Sequence, residues 1–133
     1  MMAVFADTSY YIALTNPRDE HHAAANACTE SLDTTLVTTA WVLVELANSL
    51  SRGKNRAAFL ALLGDLETDD RVTIVPPTSE TFRRGIDLYA RRSDKEWSLT
   101  DCISFLVMEQ LRITDALTTD YHFEQAGFRL LLK

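Results

Sequence analysis

Residues 3–9 read Ala-Val-Phe-Ala-Asp-Thr-Ser, and the fold follows from how that stretch ends. The apolar run is a short buried strand, and Asp7-Thr8-Ser9 are residue types that stop a strand and open a helix by accepting hydrogen bonds from its first amides. Residues 10–14 then read as a short helix, closed by Asn16-Pro17.

Working outward, the same alternation recurs. From Asp19 the chain becomes Ala-rich and predicts a helix to about Leu32, followed by a β-branched strand at Leu36-Val37-Thr38-Thr39. Residues 41–50 are apolar on nearly every face, as in a buried helix. Gly53-Lys54-Asn55 breaks it, and 57–66 restarts a helical pattern. Val72-Thr73-Ile74-Val75 is a strand stopped by Pro76-Pro77. Thr78 or Ser79 caps the next helix, with Phe82, Ile86 and Tyr89 as its inner stripe and Arg83, Arg84, Arg91 and Arg92 outward. Thr100 is the expected N-cap of a helix over 101–112. Residues 116–119 form a fourth strand, 121–126 a single helical turn, and 128–132 a fifth strand. Strands alternating with helices, joined by connections too long for hairpins, predict an α/β fold with a mostly parallel central sheet and helices on both faces. No repeat or linker interrupts it, so 1–133 reads as a single domain.

The chain has 133 residues, 47% hydrophobic and 24% charged, enough for one core without a structural metal or disulfides. No apolar run reaches the roughly 18 residues of a membrane span, since Glu45 interrupts the longest candidate. The start carries no basic region or cleavage pattern, so the expected setting is cytoplasmic. Cys28 and Cys102 lack metal or redox spacing and read as reduced, core-lining thiols. With 13 basic against 19 acidic residues, the net charge of −6 argues against non-specific coating of nucleic acid. It leaves a nuclease open, because a metal-dependent site is itself a knot of carboxylates.

Ligands of an open parallel sheet bind beyond the carboxyl ends of its strands. Asp7 follows the first strand, Asp120 follows the fourth, and Asp101 lies in the first turn of a helix. Glu45 is the one acid inside an apolar helix, where a lone carboxylate is costly unless it meets a cation. Each has a plainer reading: Asp7 as a helix cap, Asp101 as a helix-dipole partner, Asp120 as a turn former, Glu45 as the partner of an Arg. Taken together, four converging carboxylates need divalent cations. Hard oxygen ligands with no His or Cys nearby point to Mg²⁺ or Mn²⁺, and the chemistry that follows is metal-assisted hydrolysis of a phosphodiester.

Other groupings are weaker. Asp19-Glu20-His21-His22 places its histidines on different helix faces, as in a solvated first turn. His122 beside Asp120 could assist substrate binding, but a surface histidine is the plainer reading. The Arg and Lys residues at 52–56 and 83–95 are basic edges that a phosphate backbone could meet. The apolar side chains of 10–14 and 60–66 are expected to form an exposed patch that favours a homodimer.

Four segments carry a resemblance. Asp7-Thr8-Ser9, residues 42–47 around Glu45, the run Trp97-Ser98-Leu99-Thr100-Asp101-Cys102-Ile103-Ser104-Phe105 and the closing residues 116–128 around Thr119-Asp120-Tyr121-His122-Phe123 together resemble a PIN-domain ribonuclease of the VapC toxin type. The resemblance implies a three-layer α/β/α sandwich and a Mg²⁺- or Mn²⁺-dependent endoribonuclease acting on single-stranded RNA. Asp7, Glu45, Asp101 and Asp120 would form the site, and Thr8, Ser9 and Thr100 would be polar helpers. It also implies a homodimer and a small cognate antitoxin, although partner-free PIN proteins exist. Rivals fit less well. A receiver domain needs an acidic pair after the first strand and a Lys near the fifth, and a haloacid-dehalogenase-type phosphatase needs Asp-x-Asp where this chain has Asp7-Thr8-Ser9. A structure-specific DNA nuclease needs more acids and more chain. A catalytically silent PIN fold serving as a binding module is the alternative from another class.

Overall fold

The computed structural model describes residues 3–132; Met1 and Met2, part of the opening read for a leader, and Lys133 lie outside the described residues. Strand β1 (Val4–Ala6) leads directly into α1 (Thr8–Thr15), and α2 (His22–Ser31) returns the chain to β2 (Leu36–Thr39). Helices α3 (Ala40–Ser49) and α4 (Asn55–Thr68) precede β3 (Val72–Val75), and α5 (Ser79–Arg91) and α6 (Leu99–Gln110) precede β4 (Asp115–Leu117). The chain closes with α7 (Tyr121–Gln125) and β5 (Arg129–Leu130).

The five strands form one sheet in the order β3-β2-β1-β4-β5, and every recorded pairing is parallel. Val4 pairs with Leu36 on one side and Asp115 on the other. All three residues of β1 are buried, so both faces of the central strand are covered, as parallel sheets require. The order also creates a switch point. From β1 the chain builds outward through β2 to β3, then crosses back to lay β4 on the other side of β1, opening a crevice past the carboxyl ends of β1 and β4.

Several sequence expectations shift in detail. The fourth strand begins one residue earlier, at Asp115, whose carboxylate takes two hydrogen bonds from Arg129 (3.0 and 2.8 Å) and so ties β4 to β5. The fifth strand shrinks to Arg129–Leu130. Thr100 is not the cap of α6: Ser98 is, because its hydroxyl accepts from the Asp101 amide while Asp101 Oδ2 accepts from the Ser98 amide, a reciprocal capping box. In α5, Phe82 and Tyr89 are exposed. The helix docks instead through Gly85, where a Cβ would stand 2.5 Å from Ile103 Cγ1, so only glycine lets α5 approach α6 this closely. Tyr10 and Tyr11 are buried in the core, which removes α1 from the expected exposed patch; Leu60 and Val44 remain exposed. His22 turns back to the Ala13 carbonyl (2.6 Å), and Arg92 is bound twice by Asp94. The basic edge of α5 is thus partly neutralised from within the chain. Cys28 is half-buried, Cys102 buried, and both are free. No helix of the described residues is long and apolar enough to cross a membrane.

Candidate active site

The crevice between β1 and β4 is lined by the residues that end those strands. Asp7 follows β1, is 4% exposed, and makes no side-chain cap to α1. Its Oδ2 instead accepts from Thr118 Oγ1 at 2.9 Å and from Ser9 Oγ at 3.3 Å. Thr118, just past β4, spends its proton on Asp7 and accepts from the Asp120 amide at 3.0 Å, while Ser9 Oγ accepts from the Thr119 amide. The two strand ends are thus stitched together by buried hydroxyls, and the geometry of Asp7 and of the Asp120 turn becomes one problem.

Glu45 lies on α3, whose first turn is capped by Thr39 accepting from the Val42 amide. This aims Glu45 back at the β1–α1 junction, where Thr8 Oγ1 donates to its Oε1 at 2.7 Å. No Lys or Arg lies within ion-pairing distance of Glu45, Asp7, Asp101 or Asp120 among the described residues. The Arg-paired reading of Glu45 is therefore overturned.

Asp101 is 7% exposed, held by the capping box at the start of α6. Asp120 caps α7, its Oδ1 accepting from the His122 amide at 2.9 Å. A five-residue helix is not stable alone; α7 stays in place because Phe123 is fully buried between Phe5 and Phe105, a burial worth roughly 2–3 kcal/mol. Trp97 Nε1 adds a hydrogen bond to Gln125 Oε1 at 3.0 Å. That anchoring delivers the imidazole of His122 into the crevice. Its Nδ1 stands 3.1 Å from Asp101 Oδ2 and 3.3 Å from Asp120 Oδ1, with 17% of the side chain exposed. The ligand atoms of Asp101, Asp120 and His122 all lie within 4.8 Å of one another.

Electrostatics follow from this packing. Burial pushes the Asp7 carboxyl up to about 6; the Thr118 hydrogen bond pulls it down, and the charges of Asp101 and Asp120 push it further up. Burial also raises Asp101, opposed by the Ser98 amide and by His122 and reinforced by Asp120. Buried carboxylates whose proton affinity is raised by burial and by neighbouring acids form an anionic cluster that favours a proton or a cation.

Of the sequence-based site residues, Asp101 and Asp120 come together with their ligand atoms within 4.8 Å; Asp7 and Glu45 lie outside that group, and Asp7 feels the charges of Asp101 and Asp120. Glu45 joins through Thr8, and Ser9 through Asp7 and Thr118. Thr100 is the second residue of α6 and makes no side-chain hydrogen bond among the described residues. The expectation of an oxygen-only cluster with no His nearby, and of His122 as a surface residue, is corrected by the inward imidazole that α7 delivers to Asp101 and Asp120; Thr118 and Ser98 were missed as members of the site. The Ser-x-x-Asp spacing of 98–101 signals the capping box, and the placement of His122 two residues past the α7 cap was a usable hint. Thr118 carried no signal beyond being a polar residue at a strand end.

Comparison with known proteins places this geometry. The family model described as "PIN domain" matches residues 4–129. Over 126 residues the chain is 33% identical to the "23S rRNA-specific endonuclease VapC20" of Mycobacterium tuberculosis, covering 94% of this chain and 95% of that one. The crystal structure of VapC20, described as a sarcin-ricin loop cleaving toxin, superposes with a TM-score of 0.85 at 28% identity, over 94% of this chain and 95% of that one. FitAcB from Neisseria gonorrhoeae (TM-score 0.66, 19% identity, 96% and 95% covered) shares the fold. So does VapBC2 from Rickettsia felis bound to a promoter DNA fragment (TM-score 0.67, 14% identity, 97% of each chain covered).

Proposed function

The chain belongs to the PIN domain family, and from that premise we propose that it is a metal-dependent endoribonuclease, working as a single domain and serving as the toxin of a toxin–antitoxin pair. The observation that carries the reading is the meeting of Asp101 and Asp120 at the switch-point crevice, with Asp7 buried beside them and no Lys or Arg to offset the three.

The donor set fits a small divalent cation. Buried carboxylate oxygens are the ligands Mg²⁺ and Mn²⁺ prefer, and a dipositive ion offsets the charges that raise Asp7 and Asp101. Asp7, Asp101 and Asp120 would hold it, with Glu45 at the side. When bound, such an ion supplies Lewis acidity toward a phosphate oxygen and a more acidic water. The chain's own residues set the geometry. Thr118 and Ser9 fix the Asp7 carboxylate, the capping box fixes Asp101, and Thr8 holds Glu45 Oε1, so that Glu45 would be the carboxylate that takes a proton from an attacking water. Thr100, the residue before Asp101 in α6, would be a polar helper toward a substrate oxygen.

RNA enters as the substrate class through the 33% identical relative named for 23S rRNA. Cleavage of ribosomal RNA implies a cytoplasmic setting. Single-stranded or looped RNA is the form whose backbone bends into an open crevice. A homodimer is supported by exposed Val44 (59%) and Leu60 (63%) flanking the α3–α4 groove. The antitoxin is proposed from the VapC kinship alone. The test is incubation of purified protein with ribosomal RNA and with a mixed RNA pool, in Mg²⁺, in Mn²⁺ and in chelator. Metal-dependent internal cleavage is expected, and its absence at high enzyme concentration would assign the chain to the silent binding modules.

A further inference from the structure

We propose that His122 is itself a ligand of the divalent ion, and that its nitrogen makes this centre favour Mn²⁺ over Mg²⁺. The inference rests on the reading of the acid cluster as a cation site. It goes beyond that reading in naming a nitrogen donor and a metal preference, neither of which follows from a set of carboxylates.

The geometry is that of neighbouring ligands. His122 Nδ1 lies 3.1 Å from Asp101 Oδ2 and 3.3 Å from Asp120 Oδ1, and the three donors fall within one 4.8 Å group. Adjacent corners of an octahedron are separated by √2 times the bond length, about 3 Å for bonds of roughly 2.1 Å. Here the ring is aimed by α7, whose register is set by the buried Phe123 and by Asp120 accepting the His122 amide. Its side chain is only 17% exposed, and the neighbouring Tyr121 ring lies 4.6 Å away. Mg²⁺ takes oxygen ligands and surrenders its waters reluctantly, whereas imidazole nitrogen is a ligand of transition ions, of which Mn²⁺ is the one that also suits a carboxylate-rich site. One nitrogen among carboxylates therefore tilts the centre toward Mn²⁺.

The same distances also fit a ring whose Nδ1–H donates to the two acids as a resident counter-charge. The two arrangements respond oppositely to loss of the ring. A ligand's removal weakens Mn²⁺ binding, and a resident cation's removal strengthens it.

The test is titration of the full chain with Mn²⁺ and Mg²⁺ by calorimetry, with pulsed electron-paramagnetic-resonance spectra of the Mn²⁺-loaded protein, for wild type, His122→Ala, His122→Asp and Asp101→Asn. Circular dichroism verifies folding of each. The expected results are nitrogen modulation in wild type that vanishes in His122→Ala, Mn²⁺ affinity reduced about tenfold or more in that variant, and Mg²⁺ affinity changed less than about threefold. His122→Asp, which restores an oxygen donor, should regain binding and favour Mg²⁺. Absence of nitrogen modulation, or equal or tighter Mn²⁺ binding in His122→Ala, overturns the inference. If Mn²⁺ binds wild type and is lost in Asp101→Asn but indifferent to His122, this inference alone fails. If wild type binds neither ion, the cation-site reading fails with it.

Discussion

Thr118 Oγ1 donates to Asp7 Oδ2 at 2.9 Å across 111 residues of sequence, joining the ends of the two strands that frame the crevice. The same oxygen accepts from the Asp120 amide, so one hydroxyl organises two of the four acids.

Thr118→Val keeps the side chain's shape and deletes that hydroxyl. A buried carboxylate and a backbone amide each lose a partner, which costs about 1–3 kcal/mol in urea unfolding. Because the Thr118 hydrogen bond holds Asp7 down, the Asp7 carboxyl should titrate above about 6 in the variant, read by side-chain carboxyl NMR. An unchanged Asp7 titration would mean the bond is not formed in solution.

Asp7 also sets a pH dependence. Its folded pKa of about 6 lies above the unfolded value of about 3.9, so the folded state binds the extra proton. Its contribution is fully favourable below pH ~4 and is lost as pH rises through ~6, a change on the order of 2–3 kcal/mol. In chelator, wild type should therefore lose stability relative to Asp7→Asn between those pH values, and the variant should be the more stable at pH 7. Parallel stability curves for the two proteins would remove Asp7 as the titrating group.

Asp101→Asn separates a cation ligand from a helix-dipole partner. Burial and the Asp120 charge both disfavour the ionised Asp101, and an asparagine can keep the capping-box acceptor. In chelator the variant should melt at or above the wild-type temperature, yet gain much less from millimolar Mn²⁺. Under the proposed activity, Asp7→Asn and Asp101→Asn should each lower the cleavage rate at least about a hundredfold, with Glu45→Gln also damaging. A clear loss of metal-free stability in Asp101→Asn would return that residue to a capping role.

Gly85→Ala tests the docking of α5 on α6. The new Cβ would meet Ile103 Cγ1, in a side chain that is fully buried and close to its own backbone. Overpacking should cost about 1–3 kcal/mol, outweighing the ~1 kcal/mol helix preference for Ala over Gly. Ile103→Ala should suppress much of that cost in the double mutant, and simple additivity of the two changes would show that the pair is not in contact.

Leu60→Glu tests the proposed homodimer. Leu60 is 63% exposed beside the groove bounded by Val44, Phe59 and Leu63, so a charge there should leave the monomer's stability within about 0.5 kcal/mol of wild type. Light scattering at micromolar concentration should show a dimer for wild type and a monomer for the variant. Equal masses would place any self-association elsewhere.

The order of strands and helices was legible in the sequence because it depends on local chemistry: the β-branched run at Val72–Val75 stopped by two prolines, or the apolar strand at Val4–Ala6 ending in Asp7-Thr8-Ser9. The positions of Asp7 and Asp120 just past their strands follow from the same local reading. What only the tertiary structure decided are relationships between distant segments. Glycine at position 85, not the aromatic stripe of Phe82 and Tyr89, meets α6, because the closeness of two helices depends on the residues at their crossing. His122 turns inward because Phe123, its neighbour, is held by Phe5 and Phe105 from other elements. Thr118 reaches Asp7 because β4 pairs with β1 in a register that sets Leu117 beside Ala6. Hydrophobic periodicity specifies which face of an element is buried, but which side chains meet across a crevice is set by the register and packing of elements that are far apart in the chain.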